Sequence, residues 1–84
     1  MPTGSEAIAV HAGVLQSDAR VLAECAERLR EIESRLSGGG VAPEWLRETV
    51  NAHIAACVVA SGDLAEVAAR LRAHAARAGR RPLR

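Results

Sequence analysis

Large aliphatic residues recur every seven positions through the first half of the chain. They are Ile8, Leu15, Leu22, Leu29 and Leu36. A seven-residue repeat of this kind is typical of a helix that packs along one stripe against another helix. Alanines follow four residues after the first three, at Ala12, Ala19 and Ala26, where small side chains let a facing helix approach closely. The pattern predicts a first helix over about residues 5–36, with Ser5 as its N-cap.

The second half repeats the pattern. Large or small apolar residues stand every seven positions at Val50, Cys57, Leu64, Leu71 and Ala78, and a second series follows at Ile54, Ser61, Ala68 and Ala75. The repeat predicts a second helix over about residues 43–78, with Pro43 in its first turn and a basic tail over 79–84. We expect one continuous helix with Gly62 as the place where it would kink. Asp63 and Glu66 resemble a capping box after Gly62, so a three-helix alternative with a break there stays open.

The segment 37–43 separates the two helical patterns. It contains Gly38, Gly39 and Gly40 in succession, and each glycine costs a helix about 1 kcal/mol relative to alanine. Two helices of similar length joined by a short turn are expected to fold back on each other as an antiparallel hairpin. In that register, Leu36 lies near Trp45, and Leu15 lies near Val67 and Leu71.

A hairpin of two helices cannot enclose a core on both sides. Valines that stand partly off the two stripes suggest a second apolar face; they are Val10, Val14, Val21, Val58, Val59 and Val67. The predicted fold is therefore an all-α, antiparallel two-helix hairpin that completes a four-helix bundle with a partner hairpin. The residues expected to contact the partner are Ile8, Leu15, Leu22, Leu29, Leu36, Trp45, Val50, Ile54, Leu64 and Leu71.

Trp45 is the only aromatic residue in the chain. One interpretation makes it a plug that caps the open end of the hairpin beside the turn, and this is the interpretation that we favour. The other makes it an exposed anchor for a partner, because tryptophan is enriched at the energetic centres of protein interfaces. The two interpretations are compatible.

Composition narrows the function classes. The formal net charge is +1, with eleven basic residues, all arginine, against ten acidic ones. A balanced charge lacks the basic surface that nucleic-acid binding needs. No apolar run approaches the length of a membrane span, and no signal peptide is evident. We expect a protein that is synthesised in the cytoplasm, binds another helical protein as a hetero- or homodimer, and binds no nucleic acid.

The residues that could carry chemistry are few. Cys25 and Cys57 should lie at the same level of the hairpin, so they are either a candidate disulfide or two buried thiols. His11, His53 and His74 lack the neighbouring ligands that a zinc site requires. The acidic residues alternate with arginine on the outer faces and form no catalytic pair. We therefore expect no catalytic residue, no metal and no cofactor.

Short motifs resemble the small helical substrates of actinobacterial type VII (ESX) secretion, namely the WXG, PE and EspC-like proteins. The segment 5–16, Ser-Glu-Ala-Ile-Ala-Val-His-Ala-Gly-Val-Leu-Gln, is similar to the opening of PE proteins. The segment 64–78 is similar to the second helix of many WXG-like proteins. Two features depart from the family: Leu46 and Arg47 replace the x-Gly of the WXG triplet, and the absence of tyrosine rules out the Tyr-x-x-x-Asp/Glu export signal.

The resemblance implies a helical hairpin that pairs with a second hairpin and leaves the cell, if it is exported, by a type VII route without a signal peptide. In that family one member of a pair can carry the export signal for both. This chain would then be the partner without the signal, in a heterodimer. The alternative, from the residues alone, is a self-associating cytoplasmic adaptor or structural module unrelated to secretion.

Overall fold

The computed structural model describes residues 3–79, which form two antiparallel α-helices, α1 (Gly4–Gly39) and α2 (Glu44–Gly79). There is no strand within this range. The molecule measures 69 × 18 × 14 Å and has a radius of gyration of 19.0 Å, against about 12 Å for a compact domain of this length. The predicted all-α hairpin is confirmed, and it is a rod two helices wide. No helix in residues 3–79 is long and apolar enough to cross a membrane.

The first helix begins before the predicted N-cap, Ser5. Thr3 has extended backbone angles and its Oγ1 accepts a hydrogen bond from the Glu6 amide, while the Glu6 carboxylate accepts one from the Thr3 amide. These reciprocal bonds form a capping box, which satisfies two of the amides that a helix N-terminus leaves without partners. The prediction of Ser5 as the N-cap is wrong, because Glu6 stands three residues after Thr3.

The turn is shorter than the predicted segment 37–43. Helix α1 continues through Gly38 and Gly39 and stops at Gly40, which has a left-handed φ of 65° that side chains disfavour. Helix α2 begins at Glu44, and the carbonyl of Pro43 accepts hydrogen bonds from the amides of Leu46 and Arg47. Pro43 therefore precedes the helix instead of standing within its first turn.

Helix α2 is continuous through Gly62, so the three-helix alternative is wrong. Next to Gly62, the Ser61 hydroxyl donates a 2.7 Å hydrogen bond to the carbonyl of Ala19 on α1. The hydrogen bonds of α2 and its contact with α1 on either side of this point outweigh the helix cost of one glycine. The predicted end of α2 at Ala78 differs by one residue, since the helix includes Gly79. Of the predicted basic tail, residues 80–84 lie outside the described range.

The core consists almost entirely of small side chains. The buried residues are Ala12, Ala19, Ala26, Val50, Ala68 and Ala75. None of the large side chains in residues 3–79 is fully buried, and each leucine of the two stripes is only half-buried. Because burial stabilises in proportion to the apolar area removed from water, this core is a weak one for a chain with so many aliphatic residues.

Candidate protein-interaction face

The buried alanines mark the seam, the line along which the two helices touch. On α1 they are Ala12, Ala19 and Ala26, and on α2 the equivalent positions are Ser61, Ala68 and Ala75. Each is separated from the next by seven residues, so all of them point at the opposite helix. The predicted close approach along these alanines is confirmed, and the helix that approaches α1 is the chain's own α2.

The large side chains lie to one side of this seam. Leu22 follows Ala19 by three residues, which rotates it by about 60° around the helix, and Leu64 follows Ser61 in the same way. Antiparallel neighbours are related by a twofold axis perpendicular to the plane that contains both helices. Equal rotations in the two helices therefore bring their leucines to the same broad face of the hairpin.

One hydrogen bond between the helices supports this assignment. Cys25 and Cys57 belong to the side that carries the leucines, where the proximity of Cys25 is one cause of the raised pKa of Cys57. Gln16 and Arg72 belong to the other side, and the Arg72 guanidinium donates a hydrogen bond to the Gln16 side chain. The hairpin thus has two distinct faces on either side of one seam.

We call the first of these the leucine face. It is formed by Ile8, Leu15, Leu22, Leu29, Leu36, Cys57, Leu64 and Leu71 next to the seam, and by Cys25, Ile32, Leu46, Ala60 and Val67 beside them. All are half-buried except Ile32 and Val67, which are 44% and 45% exposed. The polar residues at the flanking positions are His11, Asp18, His53 and His74. The face is therefore long, apolar and nearly uncharged.

The opposite side, the alanine face, is less apolar. A shallow hollow on it is lined by Ser5, Glu6, Ala9, Arg72, Ala75 and Ala76. On it the exposed Arg72 guanidinium donates a hydrogen bond across the helices to the Gln16 side chain. This face resembles an ordinary solvated surface and offers little apolar area to a partner.

The structure brings seven of the ten predicted contact residues together on the leucine face. They are Ile8, Leu15, Leu22, Leu29, Leu36, Leu64 and Leu71. It places the other three elsewhere. Ile54 is half-buried in the seam, Val50 is buried within the hairpin, and Trp45 lies on the outer side of α2, opposite the seam.

Trp45 does not cap the end of the hairpin. It is 64% exposed, and its backbone carbonyl accepts a hydrogen bond from the Thr49 hydroxyl. Arg47, seven residues before Ile54, lies on the seam side of α2. Trp45 stands two residues before Arg47, which turns it by about 200° away from the seam, so the plug interpretation is wrong. The position leaves the indole available to solvent or to a partner.

The six valines do not form a second apolar face. All are at least 44% exposed, but they point in different directions. Val67 belongs to the leucine face and Val58 to the alanine face. Val10, Val14, Val21 and Val59 each stand two residues from a seam position, so they point away from the seam. Because an α-helix turns by about 100° per residue, valines that are near each other in the sequence point in different directions.

Cys25 and Cys57 carry free, half-buried thiols at the same level of the leucine face. Partial burial, and next the neighbouring Cys25 thiol, raise the pKa of Cys57 above its ordinary value of 9.0. Both causes disfavour the thiolate, so Cys57 is a poor nucleophile near neutral pH. Within residues 3–79 no three His, Cys, Asp or Glu side chains are grouped closely enough to hold a metal ion.

No family model matches the chain, and no curated protein or solved structure is significantly similar to it.

Sequence reasoning missed two members of the leucine face, Leu46 and Ala60. Ala60 follows Cys57 by three residues, the spacing that also links Leu29 to Ile32 and Leu64 to Val67. That recurring step of three was the available signal. Leu46 has no such predecessor within α2, because the helix begins only two residues before it.

Proposed function

We propose that this chain is a non-enzymatic helical partner protein whose leucine face docks against a second helical hairpin to form a four-helix bundle. The observation that carries the proposal is the position of the large aliphatic side chains. The hairpin buries its alanines and leaves its leucines half exposed along one continuous, nearly uncharged face. A long, continuous apolar patch on the surface of a small protein marks an interaction site.

The large solvent-accessible surface of the chain also supports docking of a second hairpin. The chain exposes 6311 Å², whereas a compact protein of its mass, 8.8 kDa, exposes about 4,800 Å². The excess is about 1,500 Å². Docking two such hairpins into a compact bundle of twice the mass would remove about 4,700 Å² in total from water. That area belongs to the range of obligate dimers, about 2,000–5,000 Å².

The resemblance to type VII secretion substrates supports a second hairpin from a different protein. In that family two hairpins pair, and the export signal on one serves both. Without a tyrosine, this chain would be the member of such a pair that lacks the export signal, although the same absence also favours the alternative unrelated to secretion. We propose a secretion-associated heterodimer on this basis.

A second copy of the same chain is the alternative occupant. Asp18 is the only acidic residue at the flanking positions of the leucine face, so two copies can meet there without strong like-charge repulsion. A homodimer of this kind would be a self-associating adaptor or structural module unrelated to secretion.

Light-scattering molar mass and circular dichroism of the purified chain across a dilution series separate these occupants. A helical dimer that survives dilution supports the second copy. A poorly helical monomer supports a different protein, which should then be cross-linked in the native host and reconstituted as a 1:1 complex with a gain of helicity. A monomer that is fully helical at every concentration and gains nothing from any helical partner contradicts the proposal.

A matched pair of double variants tests which surface docks. Ile32→Glu with Val67→Glu places two charges on the leucine face, at side chains 44% and 45% exposed. Val10→Glu with Val59→Glu places the same charges at side chains 63% and 61% exposed that point away from the seam. We expect the first pair to abolish association and the second to leave it intact, because burying an unpaired carboxylate in an interface is costly.

A further inference from the structure

The leucine face carries two groups whose reactivity docking does not explain, the thiols of Cys25 and Cys57. We propose that these two residues are a modification site, at which a low-molecular-weight disulfide oxidises the hairpin to an intrachain disulfide that joins α1 to α2. The proposal does not depend on the identity of the docking partner. It rests on the register of the helices and on the placement of both thiols.

A hydrogen bond near the pair sets the register. Ser61, one turn beyond Cys57 on α2, donates to the carbonyl of Ala19 on α1. Antiparallel helices advance by equal steps in opposite directions, so moving six residues from Ala19 to Cys25 on α1 matches moving six residues from Ser61 to residue 55 on α2, about 3 Å along the helix axis from Cys57. The two cysteines therefore lie at one level, on one face.

The surroundings favour a bond within the chain. Both thiols are half-buried, so a small reagent can reach them while the helices hold them side by side. The Cα atoms of two cysteines joined by a disulfide are usually about 4.4–6.8 Å apart. The alanines of the seam favour such a distance because they bring the two helix axes close together. The proximity of the Cys25 thiol is one cause, after partial burial, of the raised pKa of Cys57, which agrees with this placement.

The reaction has two exchange steps. The Cys25 thiolate attacks one sulfur of the small disulfide, which forms a mixed disulfide on Cys25 and releases one small thiolate. The Cys57 thiolate then attacks the Cys25 sulfur, which forms the Cys25–Cys57 bond and releases the second small thiolate. The two cysteine sulfurs lose two electrons in total, the small disulfide gains them, and the two cysteine protons pass to the released thiols.

The consequence is a covalent tie halfway along the rod. In an oxidising environment the disulfide would hold together two helices whose alanine core is weak. In a reducing cytoplasm the two thiols would stay free. We expect the oxidised chain to unfold at a temperature about 15–30 °C higher than the reduced chain.

The test uses the whole chain in buffers of oxidised and reduced glutathione, with alkylation of remaining thiols and intact mass as the readout. A matched control moves one thiol to the alanine face, by Cys25→Ala together with Ala23→Cys. This variant keeps two thiols and nearly the same loop length, but its pair can close only after the helices separate. We expect it to form the intrachain bond about 100-fold more slowly than the natural chain.

The natural chain should lose two hydrogens in mass, and dithiothreitol should restore them. Equal rates for the natural and relocated pairs would overturn the proposal, since the bond would then report contacts of the unfolded chain. Linkage between two chains, in place of linkage within one, would overturn it as well.

Discussion

At the scale of single residues, the size of the side chain at the seam decides how the hairpin packs. Ala19 is 4% exposed, and its carbonyl accepts the hydrogen bond from Ser61 across the helices. A larger side chain here would have to push α1 away from α2. The leucines remain half exposed because the alanines, which need the least space, occupy the line of closest approach.

We therefore expect Ala19→Leu to lower the free energy of unfolding by about 1–3 kcal/mol, because it overpacks the seam. The matched control is Ala23→Leu, which introduces the same side chain at an exposed position of α1 and should change stability by less than about 0.5 kcal/mol. Urea unfolding followed by circular dichroism measures both. Similar losses in the two variants would mean that the alanines do not set the distance between the helices.

The exposure of Trp45 leads to a second expectation at this scale. Trp45→Ala should change the stability of the isolated hairpin by less than about 0.5 kcal/mol, because the indole is 64% exposed and points away from the seam. A buried plug would instead cost about 3–5 kcal/mol. Chemical denaturation distinguishes the two values. A loss as large as the second would restore the plug interpretation.

At the scale of the helices, glycine has opposite meanings at two places in the chain. Gly40 ends α1 because its φ of 65° is one that side chains rarely adopt. Gly62 has ordinary helical geometry in the middle of α2, and an added Cβ would meet no atom within 4 Å. Only the first glycine is required by the fold.

Gly62→Ala should therefore raise the free energy of unfolding by about 0.5–1 kcal/mol, since alanine is the better helix former and the site has room. Gly40→Ala, the same substitution at the turn, should lower it by about 1 kcal/mol because of the left-handed backbone. Thermal unfolding of the two variants beside the natural chain checks the difference in sign. A destabilising Gly62→Ala would show that α2 needs a flexible point there.

At the scale of the whole molecule, the hairpin is a rod with an apolar side. Its extents of 18 and 14 Å across the long axis leave no room for an enclosed core, and its six buried residues are all small or medium in size. Adding a second hairpin is the simplest way to cover the leucine face, because helices pack in layers around one shared core.

Stability should then depend on the concentration of the docking hairpin, whether it is a second copy or a different protein. At a hundredfold excess over its dissociation constant, the docking hairpin would add about 2.7 kcal/mol to the free energy of unfolding. Thermal melts at increasing concentration measure this gain. A midpoint that stays constant for the isolated chain and in mixtures with every candidate hairpin would contradict docking in the folded state.

The sequence alone determined the two helices, their antiparallel pairing and their register. The seven-residue repeats predicted both helices to within a few residues, and the level of Cys25 with Cys57 agrees with the structure. Such features depend on backbone hydrogen bonding and on helical periodicity, which are local properties. The start at Thr3 was also local, since the capping box of Thr3 and Glu6 is visible in the sequence.

Only the tertiary structure decided which apolar residues are core and which are surface. Periodicity placed Leu22 and Ala19 on one stripe, but the distance between the helices determines which of them is buried. That distance is set by contacts across the seam, at residues far apart in the chain. The same reason explains Trp45 and Gly62: exposure at the turn and continuity of α2 both depend on how α1 lies against α2.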